Sequence, residues 1–171
     1  MNKSDPLKSP VLLEEPHALE DFDCGIEALN AYLKKFAYIN NQNSSARTYV
    51  ATKHNRVDGY YTLTPGSVSK KESPERIGKG LANHPIPVII LARLAIDQGE
   101  QGTGLGKGLL RDALLRIVAA ADIIGGRAVL VHAKDNQAKS FYEHFGFEPS
   151  PIDQFHLYLL LKDIKKTSQS L

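Results

Sequence analysis

The chain has 171 residues, 42% of them hydrophobic and 23% charged, and a formal net charge of +2. Those values predict one soluble domain with a real core and exclude a chain too polar to fold. They also exclude a membrane-spanning helix, because no apolar run is long enough. The single cysteine, Cys24, excludes an intrachain disulfide and fits a reducing compartment. MNKSDPLKSP lacks the apolar centre of a signal peptide, and Cys and His are too few and too scattered for a zinc site, so no metal is expected.

Val11 to Leu13 reads as a short first strand. Ile26, Leu29, Leu33, Phe36 and Ile39 recur at helical spacing, which predicts an amphipathic helix over 24–42 with Asp23 as its N-cap. RTYVATKHNRVDGYYTLTPGSVS predicts a hairpin turning at Asn55 or at Asp58-Gly59. KKESPERIGKGLANHPIP reads as a loop holding one short helix. VIILARLAI, residues 88–96, is a continuous apolar run suited to a strand buried on both faces. Leu105, Leu109, Ala113, Ile117 and Ala121 then mark a helix stripe, which Gly125-Gly126 ends. Ala128 to His132 is another apolar strand, so strand–helix–strand predicts two parallel neighbours. Asp135 or Asn136 can cap a short helix through His144, closed by Gly146, and Phe155 to Leu161 reads as a last strand. The class is mixed α/β, and the tail KKTSQSL reads as frayed.

Charge is distributed unevenly. Six acids and no Lys or Arg lie between Glu14 and Glu27, whereas ten bases face three acids from residue 28 to Arg93. Such a basic region can hold a polyanion or can simply solubilise a surface.

The loop between the buried strand and its helix, QGTGLGKG, carries four glycines at alternate positions. A helix N-terminus presents free N–H groups and a positive dipole end, and glycine lets an anion reach the backbone, so a phosphate group is the natural ligand. The spacing excludes a Walker loop, since position 108 is Gly and position 101 is Gln. It excludes G-x-G-x-x-G, since the third glycine would fall on Lys107 or Leu109. A turn that merely packs the helix on the strand stays open.

Gln101, Gly104 and Gly106 form Q-x-x-G-x-G after a buried strand, and KDNQAKSFYEHFGF follows about thirty residues on. Together they resemble the GNAT N-acetyltransferase superfamily, over roughly residues 10–162 of a single domain spanning 1–171. The resemblance implies a mixed sheet splayed at an acetyl-CoA site. Gly102, Thr103, Gly104, Leu105, Gly106 and Lys107 would offer N–H groups to the pyrophosphate, with Gln101 beside them. Leu94, Ala95 and Ile96 would flank the pantetheine arm on one side, Asn136 and Phe141 on the other. Tyr142 would lie near the sulfur and protonate it, since a phenol near ~10 stays protonated at neutral pH. The other reading of Tyr142 is a core aromatic beside Phe141 and Phe145. No base is obvious; His132 could reach the site or be a surface residue, and Glu143 and His144 read as helix-surface residues.

The stretches D-x-D-C-G…L-N-x-Y-L, G-Y-Y-T-L and L-A-R-L-A-I-D are similar to one GNAT branch, the toxins that acetylate the amino acid on charged tRNA and stop translation. That similarity implies a cytoplasmic homodimer, neutralised by a ribbon-helix-helix antitoxin and touching DNA only through it. Arg93, Lys34, Lys35, Arg47, Arg76 and Lys79 become candidates for RNA phosphate contacts, Arg93 first because a charge inside an apolar strand needs a reason. A buried salt bridge is the other reason it could have. The alternatives for the whole chain are a GNAT enzyme for a small amine or protein N-terminus, and a non-catalytic GNAT-like module that binds RNA or a regulator.

Overall fold

The computed structural model describes residues 9–15 and 17–164; the expected frayed tail and the first residues lie outside them. The chain forms two compact units. The first holds the residues up to Leu63 together with Arg93–Asp112, the second Thr64–Ala92 together with the residues from Ala113 on.

In the first unit, β1 (Val11–Leu12) pairs antiparallel with β2 (Arg47–Lys53), and β2 pairs antiparallel with the first part of β3 (Arg56–Val68). The hairpin turns at His54 and Asn55, both at positive φ, as a two-residue loop that follows the strand twist requires. Asp58-Gly59, the other expected turn, lies inside β3. There Ala51 faces Gly59 and Thr52 faces Val57, so Asp58 is the extra residue of a β-bulge.

The expected helix is present over 27–42 but is not one α-helix. α1 (Glu27–Ala31) passes into a π-helical stretch (Tyr32–Phe36) and then α2 (Ala37–Gln42). A π turn holds an extra residue and rotates everything after it by about 100° against an unbroken α-helix. The apolar stripe therefore slips. Leu33 stays buried, but Phe36 and Ile39 are 52% and 57% exposed and Ala37 takes the inward place. Asp23 does not cap this helix: Ile26 occupies the N-cap without a side-chain bond, and Asp23 binds the Gly25 N–H instead. The core of this unit gathers Leu13, Phe22, Tyr32, Leu33, Val50, Val57, Tyr60 and Ala95. Tyr60 is wholly buried yet satisfied, because its hydroxyl donates to the Leu29 carbonyl at 2.7 Å.

In the second unit, the first part of β4 (Ile86–Ile96) pairs parallel with β5 (Ala128–His132), as the strand–helix–strand order requires. β7 (His156–Leu160) pairs antiparallel with β5, and a two-residue β6 (Glu148–Pro149), absent from the sequence reading, pairs with β7. The short helix is α3 (Glu75–Gly78). α4 (Leu105–Ile124), which belongs to the first unit as far as Asp112 and to the second from Ala113, buries Leu105, Leu109, Leu110, Ala113, Leu114 and Ile117 and ends at Gly125, φ +86°. Asp135, not Asn136, caps α5 (Asn136–His144) by accepting from the Ala138 N–H. The β4–β5 ladder stops at Leu91↔Val131 while β4 runs on to Ile96, and from Ala92 its residues are only half-buried except Ala95. Burial on both faces thus holds for the first half of that strand and not for the second.

Asp58 is 4% exposed and its Oδ2 has no hydrogen-bond partner among the described residues, while Oδ1 lies 3.7 Å from the Arg56 guanidinium. Burial first, then the charge of Glu100, pushes its pKa up against the pull of Arg56. A raised carboxyl pKa removes stability as pH rises through the interval above the ordinary value. Asp58→Asn is therefore expected to raise the melting temperature at pH 7, by about 2–4 °C for each kcal/mol recovered. The gain should vanish below about pH 3.9, where the native carboxyl is neutral in both states. Thermal melts of both proteins across pH check this, and an unchanged or lower melting temperature at pH 7 contradicts it.

Candidate acyl-donor loop and acid

The loop that follows β4 is built in the first unit. Asp97, 5% exposed, accepts from the Gly99 N–H at 2.9 Å and starts a 3-10 turn, Gln98–Glu100. The Gln101 side chain then reaches back, donating to the Ile96 carbonyl at 3.1 Å and the Cys24 carbonyl at 3.2 Å. Gln101 is thus a brace that ties the loop to the end of its strand. Thr103 is exposed and bonded within the loop, its hydroxyl donating to the Glu100 carbonyl at 2.6 Å.

The glycines divide by cause. Gly102 and Gly104 lie at φ +80° and +89°, conformations that L side chains rarely adopt. Gly106 is different: its φ is ordinary, and an added Cβ would meet only Ile96 at 3.8 Å, a normal contact. At Gly108 an added Cβ would meet nothing within 4 Å. Neither the backbone nor the packing of this chain requires glycine at 106, whereas an anion seated on the helix end would. The first intrahelical bond runs from the Gly108 N–H to the Gly104 carbonyl, so the N–H groups of Leu105, Gly106 and Lys107 precede the helical ladder. A bare turn of N–H groups fringed by glycine fits a pyrophosphate, and Lys107, exposed in that turn, adds a positive charge.

Of the residues expected along the pantetheine arm, Ala95 is buried in the core, while Leu94 and Ile96 are half-buried. The Ile96 carbonyl already accepts from Gln101. Alternation along the strand puts Arg93 on the same side as Ala95. Its guanidinium lies 3.6 Å from the centre of the Tyr32 ring, and Tyr32 stacks on Tyr60. The reason for the charge in the apolar strand is thus a cation–π contact. Lys34 and Lys35 are exposed on the π-helical stretch, and Arg47 is exposed and donates to the Asn41 carbonyl.

In the second unit, α5 carries Asn136, exposed in its first turn, and the half-buried Phe141. Tyr142 is 8% exposed and held edge-on by Phe141 and Phe147 at 5.2 and 5.3 Å. No hydrogen bond joins its hydroxyl to another described residue, and burial pushes its pKa well above the usual phenol value. Tyr142 is both core aromatic and bearer of an uncommitted proton. Glu143 and His144 are exposed, as expected. His132 stacks on His156 at 4.0 Å, and partial burial, then the charge of that neighbour, lowers its pKa. Arg76 is bound by Glu148 at 2.7 Å and Asp163 at 2.8 Å, and its side chain stays 53% exposed. Lys79 is exposed. The six basic candidates therefore divide, four in the first unit and Arg76 and Lys79 in the second. Among the described residues no cluster of His, Cys, Asp and Glu could hold a metal ion.

Residues 44–149 match the acetyltransferase (GNAT) domain. The chain belongs to the GNAT acetyltransferase family. A tRNA-acetylating toxin of Mycobacterium tuberculosis (strain ATCC 25618 / H37Rv) is 45% identical over 157 residues, covering 92% of this chain and 94% of the toxin. The solved structure of AtaT complexed with acetyl-methionyl-tRNAfMet is similar with a TM-score of 0.86 at 30% identity, over 94% of this chain and 98% of that one. A tyrosine-to-phenylalanine mutant of AtaT, bound to the C-terminus of the antitoxin AtaR and to acetyl-CoA, gives a TM-score of 0.80 at 30% identity, over 95% and 97% of the two chains. As in those comparisons, the fold here is the mixed α/β fold of the GNAT family.

What sequence reasoning missed is the support of the loop: Asn30, Asp97 and Arg56, whose guanidinium lies 3.5 Å from the Asp97 carboxylate. An acid directly after the buried strand, and the D-x-D-C-G stretch itself, were the available signals.

Gly106→Ala separates a ligand's requirement from the protein's own. It should leave the melting temperature unchanged within about 1 °C and weaken coenzyme A binding about tenfold or more. Gly102→Ala should instead destabilise the protein by about 1–2 kcal/mol through left-handed strain. Melting curves and calorimetric titration with coenzyme A check both; unchanged binding by Gly106→Ala contradicts the assignment.

Proposed function

We propose that this protein is the toxin of a toxin–antitoxin module, a single-domain N-acetyltransferase that moves acetyl from acetyl-CoA to the α-amine of aminoacyl-tRNA and so blocks translation. The observation that carries this is the anion-ready loop in a chain 45% identical, over 92% of its length, to a tRNA-acetylating toxin. No described helix is long and apolar enough to cross a membrane. We place the protein in the cytoplasm, where charged tRNA is made, as a homodimer neutralised by a ribbon-helix-helix antitoxin.

Acetyl-CoA supplies the acetyl group as a thioester. Gly102, Thr103, Gly104, Leu105, Gly106 and Lys107 hold its pyrophosphate through backbone N–H groups and the helix dipole. The family resemblance assigns Leu94, Ala95 and Ile96 of the first unit, and Asn136 and Phe141 of the second, to the arm, with Gln101 fixing the loop. The main-chain N–H near Leu94 polarises the carbonyl. The acceptor amine attacks as the neutral base. An α-amine titrates near ~7.7–8.0, and the adjacent ester lowers that further, so no strong base is needed. The new C–N bond forms as the C–S bond breaks. The sulfur takes the proton of Tyr142, the amine loses its extra proton to water, and solvent reprotonates the tyrosine. A phenol titrates near ~10, so Tyr142 carries that proton across the working pH range. Arg93, Lys34, Lys35, Arg47, Arg76 and Lys79 contact RNA phosphates, Arg93 with its guanidinium held at a fixed height by Tyr32.

Purified protein with labelled acetyl-CoA should label charged tRNA and not tRNA stripped of its amino acid. Tyr142→Phe should lower kcat by about 10²–10⁴ while leaving coenzyme A affinity intact. Label entering small amines or protein N-termini but not RNA would overturn the substrate, and full activity in Tyr142→Phe would overturn the acid.

A further inference from the structure

The family domain matches residues 44–149, yet the loop is held from outside that span, by Asp23, Cys24, Gly25 and Asn30. The Asp23 N–H donates to Asp97 Oδ2 at 3.0 Å, and the Gln98 N–H donates back to the Asp23 carbonyl at 2.8 Å. The Cys24 carbonyl accepts from Gln101 Nε2. Asn30, buried at 6% exposure, closes the arrangement: its Oδ1 accepts from the Cys24 N–H and its Nδ2 donates to Asp23 Oδ1, each at 2.9 Å. Asp23 Oδ1 also accepts from the Gly25 N–H at 2.9 Å. Gly25 sits at φ +87°, where a Cβ would come within 2.7 Å of the Gln98 side chain. Backbone and side chains of 23–30 thus grip the three residues, 97, 98 and 101, that set where the glycine turn begins.

We infer that Asp23 and Asn30 are positioning residues for the acyl donor: the 23–30 segment is a clasp that fixes the glycine loop in its pyrophosphate-binding arrangement. The inference rests on the function proposed above. Its specific consequence concerns the pyrophosphate alone. Loosening the clasp should weaken donors that carry a pyrophosphate and spare a thioester that does not. A general loss of folding would weaken both.

Asp23→Ala removes the acceptor of two of these bonds, and Asp23→Asn keeps an oxygen there. The proteins are compared by calorimetric titration with coenzyme A and by transfer to charged tRNA from acetyl-CoA and from S-acetylpantetheine, which lacks the pyrophosphate. Asp23→Ala should weaken coenzyme A binding about fivefold or more, the effect of losing roughly one net hydrogen bond. It should lower kcat/KM for acetyl-CoA by the same factor and leave that for S-acetylpantetheine within about twofold, and Asp23→Asn should restore the ratio. Gln101→Ala, a change at an exposed side chain, provides the same test should Asp23→Ala fail to fold. Coenzyme A binding unchanged in the folded variants, or an equal fall with both donors, overturns the clasp. A wild-type protein that binds no coenzyme A overturns the function on which the clasp rests, and is read from the same titration.

Discussion

Asp97 is the point on which the donor side of this protein depends. A buried carboxylate is costly unless it is hydrogen-bonded or paired, and here two backbone N–H groups and the Arg56 guanidinium, 3.5 Å away, surround it. One N–H belongs to the turn that leads into the glycine loop, the other to a segment more than seventy residues earlier. The carboxylate therefore joins a local turn to a distant anchor. It stands one residue after the strand whose pairing with β5 has already ended, where the backbone of β4 no longer has that partner to hold it. The loop beyond Asp97 can be open and glycine-rich because its first residues are fixed.

That loop shows how a site can be distinguished from a turn. Gly102 and Gly104 answer to backbone geometry and would be needed in a turn that bound nothing. Gly106 answers to no constraint among the described residues. The helix that starts there supplies unladdered N–H groups and a dipole, and the buried stripe of Leu105, Leu109, Leu110 and Ala113 holds that helix in place. On the other unit, Tyr142 is fixed by aromatic neighbours and spends its hydroxyl on none of them. Packing orients the ring, and a phenol stays protonated at neutral pH.

Much of this was legible in the sequence. The β4–loop–α4–β5 unit follows from an apolar run, a glycine cluster and a helical stripe, each strong in its own periodicity. A cap at Asp135 or Asn136, and Gly125 and Gly146 as stops, follow from local chemistry; the structure chooses Asp135. The helix over 27–42 was legible only in part, because a π turn shifts phase by one residue and no side chain marks the place. Phe36 and Ile39 point outward for that reason. The bulge at Asp58 was hidden in a stretch that reads as either strand or turn. The role of Arg93 needed the ring of Tyr32, and the ion pairs of Arg76 needed Glu148 and Asp163, far away in sequence. The clasp was legible only as two separate signals, the acid after the strand and the D-x-D-C-G stretch, because the hydrogen bond that joins Asp23 to Asp97 is written in neither segment alone.

Whether the glycine loop seats the donor is read most directly from the amide hydrogen exchange of Gly104, Leu105, Gly106 and Lys107 with and without acetyl-CoA. Binding should slow exchange at these amides and leave Gly125 and Gly126, at the far end of the same helix, unchanged. Acetyl-CoA that binds without slowing exchange in the loop would contradict that seat.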